Sequence, residues 1–411
     1  MHRGRSVEGN GIFEDVKILD FGQIVAGPLI STYLADYGAE VVHIESHKRP
    51  DQYRFYPPFK DNKPGVNRGL DFAIYSHNKY GITLDLRHPK GIEVAKRLVK
   101  NWANVVTENF TPGVMKRLGL DYEELRKIKP DLIMLSSCNL GQTGPYAAHP
   151  GMGSHLTHLS GFTHLCGWPD RDPLILYGPY IDFIGVVYGT IALAAALDYR
   201  RQTGKGQYID VAQFEGGIQF LASTLLDYTV NGRIQERKGN RCDYAAPHGA
   251  YPCRGEDRWC VIAVFTDQEW EDLTRIMGDP DWARDPKFAK LPDRKRNEEE
   301  LDRLIGEWTS TLSAEEVMAK LQSVGVEGAV VKNPQEMYDD PHLKQYLWAE
   351  MEHAEIGKYH VQVPSFKLSR VPTQLRKSAP LLGEHNEYVY VNLAGFSREE
   401  YQKLQQEGVF E

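Results

Sequence analysis

One carboxylate stands out for the company it keeps. Asp182 lies in the run Tyr177–Leu197 (YGPYIDFIGVVYGTIALAAAL), embedded among apolar and small residues. An apolar site strips water from a carboxylate, which raises its pKa and makes it usable as a nucleophile or proton carrier. The same residue is suited to cap the helix that starts behind it, because Asp is a preferred N-cap. The two readings are compatible, since a helix N-terminus can support a reactive carboxylate together with an anionic intermediate.

Two turns form a second group of candidates, GQIVAG at Gly22–Gly27 and ENFTPG at Glu108–Gly113. Small residues there let a ligand approach the backbone N–H donors, although ordinary turn chemistry needs the same residues. Lys48, Arg49, Arg54, Lys116 and Arg117 lie nearby and could meet phosphates; the alternative is simple solvation. His149, His155, His158 and His164 flank a glycine-containing run, but no acidic or cysteine partner has a fitting spacing. We therefore expect scattered histidines and no metal site. Thr203–Gly206 (TGKG) is too short for a phosphate loop and suits a helix-to-strand turn.

The elements that must position these residues alternate between two hydrophobic periods. Strand-like runs occur at 16–21, 41–45, 82–86, 105–109 and 132–136, with helical patterns at 28–37, 89–101 and 122–129 between them. Pro28 and Pro89 fall where a first helical turn tolerates proline, and Gly38 suits a position just past a helix end. Such alternation predicts parallel βαβ units, in which ligands gather at the carboxyl ends of the strands, where both turns lie. No GxGxxG follows a strand and no GxxxxGK[ST] occurs, so neither a nicotinamide site nor a P-loop is expected. A helix from 182 to about 203, a strand at 207–211 and a helix over 214–230 follow. Residues 231–243 read as a linker and 244–340 as a smaller α+β domain, whose capping box pairs Ser313 with Glu316. The tail, 341–411, holds short strand-like runs and a last helix capped by Ser397 and Glu400.

The 411 residues predict two or three lobes, and 41% apolar with 25% charged residues excludes a disordered chain. A net charge of -8 argues against a nucleic-acid partner. The first residues, MHRGRSVEGNGIF, lack the apolar stretch of a signal peptide, and the apolar stretch 183–197 reads as a buried helix too short to cross a membrane. Five cysteines with no CxxC pair argue against a disulfide framework. We expect a cytoplasmic protein.

Taken together, several motifs resemble the class III CoA-transferase family, which includes formyl-CoA, carnitine and aryl-acid CoA-transferases and the α-methylacyl-CoA racemases. They are FGQIVAGP with YGAEVVHIE, NKYGITLDL, ENFTPGVMKRLGLDYEELRKIKPDLI, GQTGPYA, the Asp182 segment with RRQTGKGQYIDV, AAPHGAYPC and APLLGEH, in family order from about residue 14 to 390. The resemblance implies a Rossmann-like large domain (1–230 with 341–411) whose parallel sheet is built from both chain ends, a smaller middle domain, and an interlocked dimer. It implies that Asp182 attacks an acyl-CoA thioester, giving a mixed anhydride and then an aspartyl-CoA thioester, with no metal or redox cofactor. Gln23, Ile24, Ala26, Asn109, Phe110 and Arg117 would contact CoA. Ser46 stands where several members carry a basic residue, leaving Lys48 or Arg49 to meet the phosphates. Gly151, Met152, Tyr180, His248 and Gly249 would surround the substrate.

The family also contains a different reaction class, the racemases, whose catalytic histidine aligns with Met152 here. Methionine cannot carry a proton, which disfavours that reading. A subunit of a heteromeric transferase is the remaining alternative to a homodimer, and retention of Asp182 argues against a non-catalytic subunit. Only PHG occurs at Pro247–Gly249, so the glycine-rich loop of oxalate-handling members is missing. The aromatic stretch before Asp182 favours a bulky acceptor such as a benzylsuccinate-like acid, with succinyl-CoA as donor.

Overall fold

The computed structural model describes residues 11–411, so the first ten residues of the N-terminal stretch judged above lie outside it. The chain divides into two compact units, one of residues 11–162, 175–234 and 341–411, the other of residues 163–174 and 235–340.

The first unit is built on six parallel strands: β1 (Lys17–Asp20), β2 (Glu40–Glu45), β3 (Lys79–Thr83), β4 (Val105–Glu108), β5 (Ile133–Cys138) and β6 (Tyr208–Ala212). Their order across the sheet is β3-β2-β1-β4-β5-β6, the doubly wound order of dinucleotide-binding folds. Strand direction of travel across the sheet reverses between β1 and β4, so the crevice beyond their carboxyl ends is the natural ligand site.

The helices of this unit are α1 (Ala26–Ala35), α2 (Leu70–Tyr75), α3 (Pro89–Asn101), α4 (Val114–Leu118), α5 (Tyr122–Ile128), α6 (Gly153–Leu159), α8 (Tyr180–Thr203), α9 (Gln213–Gln219) and α10 (Ala222–Asn231), while α7 (Phe162–Leu165) passes into the second unit at Thr163. In α3, Pro89 takes the first position behind the His88 cap, and Gly91, Val94, Ala95, Leu98 and Val99 form one buried stripe. One sheet face (Ile18, Val41, Val105, Ile133, Leu135) packs on α1 and α8. On the other, Leu19, Val42, Ile82, Val106 and Met134 meet α3 and the residues Val389, Tyr390, Phe396 and Phe410 of the tail.

Here the expected sheet needs correcting. Every strand of the parallel sheet comes from residues 17–212, and the tail adds none. Its role is to cover a face and to close an edge. The outer N–H groups of β3 are taken by side chains, Gly81 donating to Nδ1 of His385 (3.2 Å) and Thr83 to Oδ1 of Asn386 (2.8 Å). An edge closed in this way offers no ladder to a further strand. Two tail strands, β10 (Trp348–His353) and β11 (Gly357–Gln362), instead pair with each other in an antiparallel ribbon, packing Met351, Tyr359 and Val361 on Phe72.

The second unit carries the antiparallel sheet β7 (His248–Pro252), β8 (Trp259–Ala263) and β9 (Glu327–Val330), with a core that includes Trp270, Phe288, Leu301 and Val317. Its capping box at Ser313 and Glu316 forms, as does the one at Ser397 and Glu400 in the tail.

Helix α8 forms where a helix from 182 to about 203 is expected, starting two residues earlier. At 24 residues it is long and apolar enough to cross a membrane by length and composition. Only one side is buried, with Gly189 letting Ile30 of α1 approach so closely that a Cβ there would lie 2.5 Å from its Cδ1. Phe183, Val187, Tyr188 and Ile191 stay exposed, as do Leu225, Leu226 and Val230 of α10. The helix expected over 214–230 is broken between α9 and α10.

Candidate active site

A cavity of about 590 Å³ opens in the first unit at the crevice between β1 and β4. Ile24, Ala26, Asn109, Phe110, Gly151, Met152 and Asp182 line it, together with Tyr53, Cys138, Asn139, His149 and Gln213.

Asp182 is the third residue of α8, not its cap: the cap position is Pro179, which supplies no side-chain hydrogen bond. The capping reading is thereby corrected, since a carboxylate two positions into the helix points along its first turn instead of closing it. No hydrogen-bond partner reaches the Asp182 carboxylate among the described residues, and burial alone pushes it up to about 7. It stands against the start of α6. A Cβ added at Gly153 would lie 2.6 Å from the carboxyl carbon, so glycine is what leaves room for the group. Gly153→Ala should displace the carboxylate and lower kcat/KM by about 100-fold, the scale of a misplacement of roughly 1 Å. Steady-state kinetics and a melting curve check this; a folded variant with wild-type kinetics would contradict it.

The β1 turn is held from two sides. Gln23 donates its N–H to Oδ1 of Asn109 (2.8 Å), and Nδ2 of Asn109 donates back to the Gln23 carbonyl (2.8 Å). This reciprocal pair ties the ends of β1 and β4 together across the crevice, and it occupies much of the hydrogen-bonding capacity that Asn109 would offer a ligand. Ile24 has a left-handed backbone, φ 68°, rare for a β-branched residue. Its N–H donates to Oδ2 of Asp51 (2.9 Å). Behind Phe110, whose N–H donates to Oε2 of Glu108 (2.7 Å), burial raises that buried acid to about 7.

Other expected site residues lie elsewhere. Gln23 supports the cavity without lining it, and Tyr180 packs edge-on against Phe162, ring centroids 5.4 Å apart. Arg117 is exposed in the last turn of α4, and Arg49 is exposed beyond β2. Lys48 pairs with Asp85 at 3.0 Å on the surface. His248 and Gly249 belong to the second unit, where they line a cavity of about 860 Å³ with Arg241 and Gln322. Asp51, Tyr53 and Gln213 were not singled out in the sequence. Asp51 and Gln213 are nearly fully buried polar residues, and hydrophobic periodicity carries no signal for them.

The model of CoA-transferase family III matches residues 13–386. The chain belongs to CoA-transferase family III. It is 32% identical, over 95% of its length and 96% of the relative's, to the succinyl-CoA–D-citramalate CoA-transferase of Chloroflexus aurantiacus. The beta subunit of the succinyl-CoA–L-malate CoA-transferase of the same organism is 30% identical, over 96% of this chain and 97% of the subunit. A crystal structure of a CAIB/BAIF family protein from Brucella suis superimposes with a TM-score of 0.85 at 30% identity, covering 94% of this chain and 100% of that one. This family III enzyme is therefore a CoA-transferase, with acyl-CoA and carboxylate substrates.

Proposed function

We propose that this transferase moves CoA from an acyl-CoA donor to a bulky or aromatic carboxylic acid through covalent intermediates on Asp182. The observation that carries this reading is the Asp182 carboxylate itself, water-poor and without a hydrogen-bond partner among the described residues, in the wall of a cavity at the sheet's switch point. A carboxylate oxygen attacks the thioester carbonyl carbon, the C–S bond breaks, and CoA leaves as thiolate from a mixed anhydride. The thiolate attacks the aspartyl carbonyl and releases the donor acid, leaving an aspartyl-CoA thioester. The acceptor carboxylate then attacks that carbonyl and expels the thiolate, which takes the acceptor's acyl carbon and restores Asp182. Each step exchanges one acyl bond for another, so no metal, redox group or net proton is consumed, and holding the partners in line accounts for the rate.

Two features support the choice of acceptor. Tyr53, Phe110, Met152 and Ile175 give the cavity an aromatic and apolar lining, and no Lys or Arg occurs among its described lining residues. An acid with an apolar body fits such walls better than a small dianion. Succinyl-CoA with a benzylsuccinate-like acid is the pair to try first. Arg117, exposed near the ENFTPG turn, is the proposed phosphate contact. The exposed apolar side of α8 and α10 supports association, for which we propose a homodimer in the cytoplasm. Mass spectrometry of CoA exchange against a panel of carboxylic acids tests the reading. Transfer to aromatic acids should exceed transfer to oxalate and malate by at least about tenfold, and preference for the small dianions would overturn the acceptor assignment.

A further inference from the structure

Asp51 is fully buried in the loop after β2, and its two carboxylate oxygens do different jobs. Oδ1 accepts the Tyr53 N–H (2.8 Å), an ordinary cap on the turn 52–54. Oδ2 reaches across to the N–H of Ile24 (2.9 Å), which lines the Asp182 cavity with its left-handed backbone. The acid stands on a rigid footing. Its own N–H donates to Oε1 of Glu45 (2.8 Å), and Arg54 clamps both Glu45 oxygens (2.7 and 2.6 Å) while lying over the Phe72 ring. His43, also fully buried, has no hydrogen-bond partner on either ring nitrogen; Nδ1 lies 3.5 Å from Asp20 and Nε2 4.0 Å from Glu45. The two buried cations nearby are already engaged, Lys79 with Asp20 (3.0 Å) and Arg54 with Glu45 (2.6 Å). A buried charge unsupported in this way would be costly, and a cap alone does not need a charge.

We propose that Asp51 is a positioning residue for the cavity: through the Ile24 N–H it holds the β1 turn in the left-handed shape that forms the donor-facing wall. The assignment of that wall to the acyl-CoA donor rests on the CoA-transfer reading above.

Asp51→Ser is the discriminating variant, because a short hydroxyl keeps the Tyr53 cap and loses the reach to Ile24. Amide hydrogen exchange over residues 21–27 should quicken in this variant, while the melting temperature changes little. KM for the acyl-CoA donor should rise about tenfold with kcat within about threefold of wild type. Glycine takes a positive φ unaided. In an Ile24→Gly background, Asp51→Ser should therefore change the donor KM by less than about threefold, a coupling that a purely structural acid would not show. Should Asp51→Ser fail to fold, Asp51→Ala, which removes the acceptor facing Ile24 outright, is read in the same way. Unchanged exchange at 21–27, or equal KM penalties in both backgrounds, overturns the proposal. A wild-type protein that turns over no acyl-CoA would refute the CoA reading instead, and the exchange measurement would still decide the role of Asp51.

Discussion

Asp182→Asn is expected to lower CoA transfer by at least about 10³-fold and, at pH 8, to make the protein more stable. The first effect follows from loss of the covalent route, since an amide oxygen cannot serve as the attacking carboxylate. The second follows from the environment of the acid. Burial raises Asp182 from its ordinary 3.8 to about 7 in the fold, so the unfolded chain holds the ionised form more comfortably. The resulting penalty is absent below about pH 4, grows as the pH rises toward 7, and is complete above it. Three pKa units correspond to about 4 kcal/mol, and solvent reaching the cavity brings this to about 2 kcal/mol. Asparagine removes the penalty and costs no cap, because Pro179 holds the cap position. Melting curves at pH 5 and pH 8 check this: the gain should be clear at pH 8 and much smaller at pH 5. In the wild type, kcat/KM should rise with pH and level off above about 7, as the nucleophile ionises.

Lys79→Met is expected to destabilise the protein by about 3–5 kcal/mol, the usual cost of breaking one side of a buried pair. The Lys79 ammonium is fully buried, 3.0 Å from Oδ2 of Asp20 and 2.7 Å from the Pro28 carbonyl. Asp20 also accepts from Ser31, Gly22 and Thr107. Burial opposes its ionisation, yet the Lys79 charge and the Ser31 hydroxyl help hold it well below the usual carboxylate range. Without the ammonium, a buried carboxylate remains with neutral donors and the His43 ring. Denaturant unfolding measures the loss, and adding Asp20→Asn to Lys79→Met should recover much of it. A single variant within about 1 kcal/mol of wild type would show that His43 or water balances Asp20 instead.

These two residues also mark what the sequence could and could not reveal. The βαβ alternation was readable because helical and strand periods differ, and Pro89, Ser313 and Ser397 declare helix starts through their own chemistry. Asp182 was visible as a polar residue in an apolar run, but its place in α8 was not, because Pro179 begins the helix three residues earlier than the acid suggested. The strand expected at 82–86 runs over 79–83, since Lys79, polar in sequence, enters the core paired with Asp20. The same blindness hid Asp51 and His43: a buried charge becomes intelligible only through its partners on other strands. The strand-like runs of the tail form β10 and β11, which pair with each other outside the parallel sheet, while Tyr390 and Phe410 stack on each other at 4.2 Å within the core beneath that sheet. Apolar character alone does not say whether a segment joins a sheet or covers it.

The most direct test of Asp182 as nucleophile is to incubate the protein with an acyl-CoA donor and no acceptor, add hydroxylamine, and sequence the modified peptides by mass spectrometry. Donor-dependent conversion of the Asp182 side chain alone to a hydroxamate, with parallel loss of activity and no such product in Asp182→Asn, is the predicted result. Full activity after the same treatment, with the Asp182 peptide unmodified, would contradict the covalent account.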